Sequence, residues 1–247
     1  MPRRSGYGGK RRQAPPPLDP DLVSAFHDLV LNGHTETMNQ QLASTPRLSN
    51  AKSGTTGLTP LMVTVKSEKP WQIQVQLIDC LMQRGASLAT RGLNRCHVLL
   101  YACLQGAAPQ VIDCLLRWDE KRGKDFKWFH CNAGKNGALV LASRSGSLAL
   151  VSHLLSFETM DIHTKSNAPI KVLKEAISSN NEELVLFVLR HDKLKEDFCK
   201  IDIYDSDSDS DDWDYCPQAV DTLSVEDCLQ AAYDRNMHEA VCAMSTL

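Results

Sequence analysis

A recurring helix stop constrains the fold of this chain more than any other feature. An alanine is followed four residues later by glycine or asparagine, the two residues that tolerate the left-handed backbone closing a helix. The alanine in each case suits a place where two helices cross closely. The motif therefore predicts the ends of several short helices, and it occurs at Ala102–Gly106, Ala142–Gly146, Ala176–Asn180 and Ala232–Asn236.

Short apolar segments of helical period lie on both sides of these stops and come in pairs. The second segment of a pair carries two apolar pairs one turn apart, as in Leu150-Val151 and Leu154-Leu155, which is typical of the buried stripe of a helix. We therefore predict six helical hairpins. They cover residues 22–32 with 35–43, 60–67 with 73–84, 97–105 with 109–118, 138–145 with 148–157, 170–179 with 182–191, and 224–235 with 238–244.

The distances between the stops indicate a structural repeat. Gly33, Gly106, Gly146, Asn180 and Asn236 follow one another at intervals of 73, 40, 34 and 56 residues. A unit of about 33 residues fits these intervals if the first spans two units and the excess lies in loops. Helical solenoids tolerate such insertions because each unit buries its apolar face only on its neighbours.

Three short segments resemble the ankyrin-repeat family. Gly57-Leu-Thr-Pro-Leu61 and Arg84-Gly-Ala-Ser87 resemble the opening and closing turns of an ankyrin repeat, and Asn32-Gly33-His34 resembles the corner between its helices. Met62 stands where the family usually has histidine. The resemblance covers roughly residues 21–247 without the acidic segment. It implies an all-α, ankyrin-like solenoid of five to six helix-turn-helix repeats.

Charge is concentrated in two segments outside the apolar pattern. Residues 1–17 contain five Lys or Arg and no acid, whereas residues 201–215 contain seven Asp and no base; the whole chain has a formal net charge of −3. The nearly neutral remainder argues against a protein that coats nucleic acid with its whole surface. We divide the chain into a disordered basic arm (1–20), ankyrin-like repeats (21–196), an acidic inserted loop (197–222) and a C-terminal capping repeat (223–247).

Several classes of protein are disfavoured by what the sequence lacks. No apolar run approaches the ~20 residues that span a bilayer, and the basic start runs into prolines rather than an apolar signal region. The nine cysteines contain no C-x-x-C pair, which favours reduced thiols over a zinc site. There is neither a G-x-S-x-G elbow nor a Gly-rich phosphate loop. We therefore expect a protein that is not an enzyme, binds no metal or cofactor and does not associate with a membrane. We expect it to be located in the cytoplasm, the nucleus or both.

The acidic run 205–212 has three interpretations. It resembles a calcium-binding loop but lacks the central glycine and the final bidentate glutamate, so calcium would bind weakly. It is also consistent with a solvated insert. Finally, Ser206 and Ser208 are candidate phosphorylation sites, because each has an aspartate three residues on, and the run with the aromatics that follow could dock into a basic groove.

The resemblance implies the function. An ankyrin-like stack holds its partners on its concave face and turn tips, so we expect a monomeric, non-catalytic scaffold or adaptor that binds another protein. The alternative is a nucleic-acid or chromatin-associated adaptor that acts through the basic arm, although that arm could equally be an import signal, fold back on the acidic loop or have no specific role. The candidate partner-binding residues at the turn tips are Arg91, Asn94, Arg95, Trp128, His130, Lys165 and Asn167.

Overall fold

The computed structural model describes residues 16–122, 132–158, 168–194 and 225–245. Within these ranges all regular structure is helical, with twelve α-helices of stated bounds, three further helical residues at 192–194, and two short 3₁₀-helices at Pro46–Asn50 and Leu93–Arg95. The basic arm up to residue 15 and the acidic loop 197–222 lie outside the described residues. The α-helices are α1 Pro20–Asn32, α2 Thr35–Ser44, α3 Pro60–Lys66, α4 Trp71–Gln83, α5 Val98–Leu104, α6 Pro109–Lys121, α7 Ala138–Arg144, α8 Leu148–Ser156, α9 Pro169–Ser178, α10 Glu182–Arg190, α11 Val225–Asp234 and α12 His238–Met244.

The helices form six hairpins that stack in chain order. Each odd-numbered helix packs on the even-numbered helix that follows it and on the next odd-numbered helix, which gives an inner row from α1 to α11. The even-numbered helices contact one another in the same succession and form an outer row from α2 to α12. The predicted all-α solenoid of helical hairpins is confirmed.

The predicted helix stops are the points where the backbone turns left-handed. Gly106, Gly146, Asn180 and Asn236 have φ values of 64°, 75°, 59° and 56°. The four alanines that precede them are completely buried, as expected where neighbouring inner helices pack closely. Local sequence therefore sets the length of each inner helix.

The core runs through the whole stack between the two rows. Leu150, Val151 and Leu154 on α8 are fully buried, and residues 138–143 of α7 are buried on every side. Burying each large aliphatic side chain contributes about 1.5 to 3 kcal/mol. Because every hairpin contributes to this continuous core, the loops at its two edges are attached to a rigid support.

One edge of the stack is formed by the turns inside the hairpins, and we call it the corner edge: residues 33–34, 67–70, 105–108, 145–147, 179–181 and 235–237. Neighbouring corners touch. The Asn181 side-chain amide donates to the Gly146 carbonyl at 2.9 Å, and a Cβ on Gly146 would lie 3.3 Å from Cβ of Ser179. The hairpins are thus held in register at this edge as well as through the core.

Basic side chains join the ends of the outer helices. The Arg122 guanidinium donates to the carbonyls of Met82 and Ala86, both at 2.8 Å, and the Lys193 ammonium donates to the Leu155 carbonyl at 2.6 Å. The last carbonyls of a helix lack partners within the helix and attract cations. Arg122 therefore supplies a hydrogen bond to a carbonyl in the last turn of α4, and Lys193 does the same for α8.

Two helices begin two residues earlier than the apolar pattern predicts. Helix α1 starts at Pro20 after the Asp19 cap, whose carboxylate accepts from the Asp21 amide at 3.0 Å. Helix α4 starts at Trp71, which lies in the predicted connection between segments 60–67 and 73–84. In both cases a proline stands at the start, where its missing N–H and fixed φ are tolerated. Nowhere in the described parts of the chain is a helix both long and apolar enough to cross a membrane.

Candidate interaction surface

The second edge of the stack is formed by the connections between hairpins. We define the tip edge as the described connections that precede α3, α5 and α7: residues 51–59, 84–97 and 132–137. The first of these loops is closed by a hydrogen bond from the Ser53 amide to the Leu58 carbonyl at 2.9 Å. It ends at Thr59, whose hydroxyl accepts from the Met62 amide at 3.4 Å and caps α3. The Thr-Pro-Leu segment therefore acts as the predicted opening turn.

The second loop holds two consecutive residues in a left-handed conformation. Asn94 and Arg95 have φ values of 53° and 57°, an uncommon geometry for arginine that costs on the order of 1 to 3 kcal/mol. The loop is closed by the Gly92 amide, which donates to the Cys96 carbonyl at 2.8 Å. The Arg91 guanidinium donates to the Arg95 carbonyl at 3.1 Å. These bonds fix the backbone around the strained pair.

Neighbouring loops of the tip edge are joined to one another. A Cβ on Gly92 would lie 2.5 Å from Sδ of Met62 and 3.0 Å from the Gly57 carbonyl oxygen, so the second loop lies directly against the first. The Ala133 amide donates to the Asn94 carbonyl at 2.8 Å, which joins the third loop to the second. The three connections therefore form one continuous ridge.

The structure brings together three of the residues predicted from the sequence. Arg91, Asn94 and Arg95 lie on the second loop and all three are exposed. The other predicted positions fall outside the described residues: Trp128, His130, Lys165 and Asn167 for partner contact, and Ser206 and Ser208 for phosphorylation.

Two lysines of the ridge were missed by the sequence analysis. Lys52 is exposed on the first loop, and Lys135 is exposed on the third, in a turn where it has a φ of 56°. The available signal was positional, because each lysine lies in the connection before a predicted inner helix, as Arg91 and Arg95 do.

Three buried thiols are poorly suited to nucleophilic chemistry. Burial raises the pKa of Cys103 to about 12 and the pKa values of Cys114 and Cys228 to about 11. A reactive cysteine needs a lowered pKa. Over the ranges that the structure describes, no three His, Cys, Asp or Glu side chains are grouped so that they could hold a metal ion.

Comparison with known proteins agrees with the fold. No protein-family model matches the chain, and no curated protein matches it. Among solved structures, the chain is similar to the ankyrin repeat domain of Bcl-3, described as a unique member of the IkappaB protein family, with a TM-score of 0.56 and 16% sequence identity. The match covers 90% of this chain and 84% of that one. At this level of identity the likeness shows that the present chain has an ankyrin-like fold.

Proposed function

We propose that the protein is a non-catalytic scaffold or adaptor that binds another protein through the tip edge. The observation that supports this most strongly is the joining of the three loops into a ridge, with Arg91, Asn94 and Arg95 exposed on a backbone fixed by hydrogen bonds. A preordered surface loses little conformational entropy when it binds, so more of the contact energy appears as affinity. Loops on a rigid support are the usual place for binding residues.

The four predicted contact residues beyond the described ranges extend the same proposal. Trp128 and His130 precede α7 in the chain, and Lys165 and Asn167 precede α9. Each pair therefore occupies the connection that corresponds to the Arg91–Arg95 loop in its own repeat. A partner that lies along several tips contacts a few side chains from each, which is how repeat proteins build extended binding surfaces.

Affinity capture from cell extract tests the proposal. The tagged full-length chain is compared with a variant carrying Arg91→Ala, Asn94→Gly and Arg95→Gly. Glycine is chosen at the two left-handed positions because it removes the side chain without adding backbone strain. We expect this variant to lose the proteins that the parent chain captures.

A control variant changes three exposed residues at or beside the corner edge: Lys66→Ala, Lys69→Ala and Gln105→Ala. It is expected to capture the same proteins as the parent chain, and thermal unfolding confirms that both variants are folded. A second test variant adds alanine at Trp128, His130, Lys165 and Asn167. Unchanged capture by that seven-residue variant would show that the partner does not bind at the turn tips.

A further inference from the structure

Charge on the tip edge is of one sign. The three loops contain five cations and no carboxylate, although the whole chain has more acidic than basic residues, 30 against 27. The overall composition therefore does not account for the single-sign patch. The cations are Lys52, Arg84, Arg91, Arg95 and Lys135, and all five are exposed.

The outer row has the opposite charge. Its six helices contain eight Asp or Glu and three Lys or Arg. The stack therefore separates charge, with a positive ridge at the tip edge and an acidic surface along the outer helices. Such an arrangement steers an anionic segment toward the ridge and repels it from the outer row.

We infer that the tip edge selects an extended acidic segment of the partner protein; this inference rests on the proposed function. Adjacent packed helices lie roughly 8 to 10 Å apart, and an extended peptide advances about 3.3 Å per residue. Carboxylates about three residues apart therefore meet successive loops of the ridge. Arginine guanidinium groups bind carboxylates with two parallel hydrogen bonds, which adds geometric selection to charge.

The same surface is poorly suited to nucleic acid. Proteins that hold a duplex by charge are usually strongly basic, whereas this chain has a pI of about 6.2 and an acidic outer row. A protein segment with spaced carboxylates is the better match.

Fluorescence anisotropy with the full-length chain tests the inference. The probe is a labelled peptide of about 15 residues with aspartate at every third position, and the titration is made in about 50 mM and about 300 mM NaCl. We expect saturable binding that weakens at the higher salt concentration. A peptide with lysine in place of aspartate is expected not to bind.

Charge reversal at two tip positions locates the site. Lys52→Glu with Arg95→Glu is expected to weaken binding about tenfold or more, because two attractive contacts become repulsive. Lys66→Glu with Lys69→Glu makes the same change in net charge near the corner edge, and it is expected to change the affinity less than about threefold. Equal loss in the two variants would indicate a general charge effect and overturn the inference.

Two further titrations decide between the remaining outcomes. The first uses a chain in which the seven aspartates of residues 201–215 are replaced by asparagine, so that this segment cannot compete for the ridge. If neither this chain nor the parent binds the acidic peptide, the inference is wrong. The second uses an oligothymidylate of equal charge; binding as tight as that of the peptide, with the same loss in the tip variant, would also overturn it. If capture of partner proteins depends on the tip residues but the acidic peptide does not bind, this inference fails while the proposed function remains supported.

Discussion

His27 Nε2 lies 2.9 Å from the carbonyl oxygen of Ala51, so an imidazole on the first inner helix donates a hydrogen bond to the first residue of the tip edge. Both residues are buried. Burial lowers the pKa of His27, whereas the bond to Ala51 and the nearby Asp28 carboxylate oppose that shift. The histidine is therefore a neutral structural donor at pH 7.

The His27 contact predicts a loss of stability at acidic pH. An unfolded imidazole titrates near pH 6.5, above the pKa in the folded chain, so the unfolded state binds the proton first as the pH falls. The contribution is fully present above about pH 6.5 and is lost as the pH falls toward the folded pKa. Urea unfolding at about pH 7.5 and about pH 5.5 is expected to show a larger loss of unfolding free energy for the parent chain than for His27→Gln.

The His27→Gln variant is a matched control because glutamine can donate to the same carbonyl without titrating. The pKa of His191 is also lowered, mainly by burial, but this residue is present in both chains and its effect cancels in the comparison. Equal losses in the two chains would show that His27 does not carry the effect.

The buried thiols predict selective alkylation of the native protein. Cys103 is fully buried, and burial raises its pKa to about 12, whereas Cys242 is exposed. Iodoacetamide reacts with the thiolate, so it should label Cys242 quickly and Cys103 only after unfolding. Peptide mass spectrometry at about pH 8 measures both rates in one sample. Equal rates in the native protein would contradict the packing of α5.

The carboxylate of Asp79, between the outer helices α4 and α6, is expected to contribute more to stability than a similar but more exposed carboxylate. Asp79 accepts from the Trp118 indole at 2.6 Å, with the Arg117 guanidinium 3.7 Å away. Because this hydrogen bond is to a charged group in a half-buried place, Asp79→Ala is expected to lower the free energy of unfolding by about 1 to 3 kcal/mol.

The control for Asp79 is a carboxylate between the next two outer helices. Asp113 lies 2.8 Å from Nε2 of His153, but its side chain is 54% exposed. Exposed pairs contribute little, so Asp113→Ala is expected to cost no more than about 1 kcal/mol. Chemical denaturation compares the two, and a larger cost at Asp113 would show that burial does not decide the ranking.

The hairpins could be predicted from the sequence because their signals are local. Apolar periodicity and a Gly or Asn four residues after a buried Ala both act within one hairpin, and the structure places a left-handed residue at each such stop. The tip edge could be predicted only in part. The contact between Asn94 and Ala133 joins loops that are far apart in the chain, and nothing in the residues around Arg95 indicates a left-handed arginine.

A helix stop provides the most direct test of that local code. Gly146 has a φ of 75°, and a Cβ there would lie 3.3 Å from Cβ of Ser179 on the next corner. Gly146→Ala is therefore expected to destabilise the fold by about 1 to 2 kcal/mol. At Gly54 a Cβ would meet no heavy atom within 4 Å, so Gly54→Ala is expected to be neutral or to stabilise by up to about 1 kcal/mol. Thermal unfolding measures the stability of both variants. If Gly54→Ala were destabilised and Gly146→Ala were unaffected, the left-handed stop at Gly146 would not be needed to end the helix.

Gly92 tests whether the tip edge is held together by close packing between its loops. Alanine there would place Cβ 2.5 Å from Sδ of Met62, a completely buried side chain with little room to move, and 3.0 Å from the Gly57 carbonyl oxygen. Gly92→Ala is expected to cost about 1 to 3 kcal/mol through this overlap. Met62→Ala alone is expected to cost about 2 to 5 kcal/mol because it leaves a cavity.

In the double variant the new methyl group enters the space that the methionine vacates, so the loss of unfolding free energy should be smaller than the two single losses combined. Strictly additive losses in urea unfolding would mean that the two residues do not touch and that the loops are held only by their hydrogen bonds.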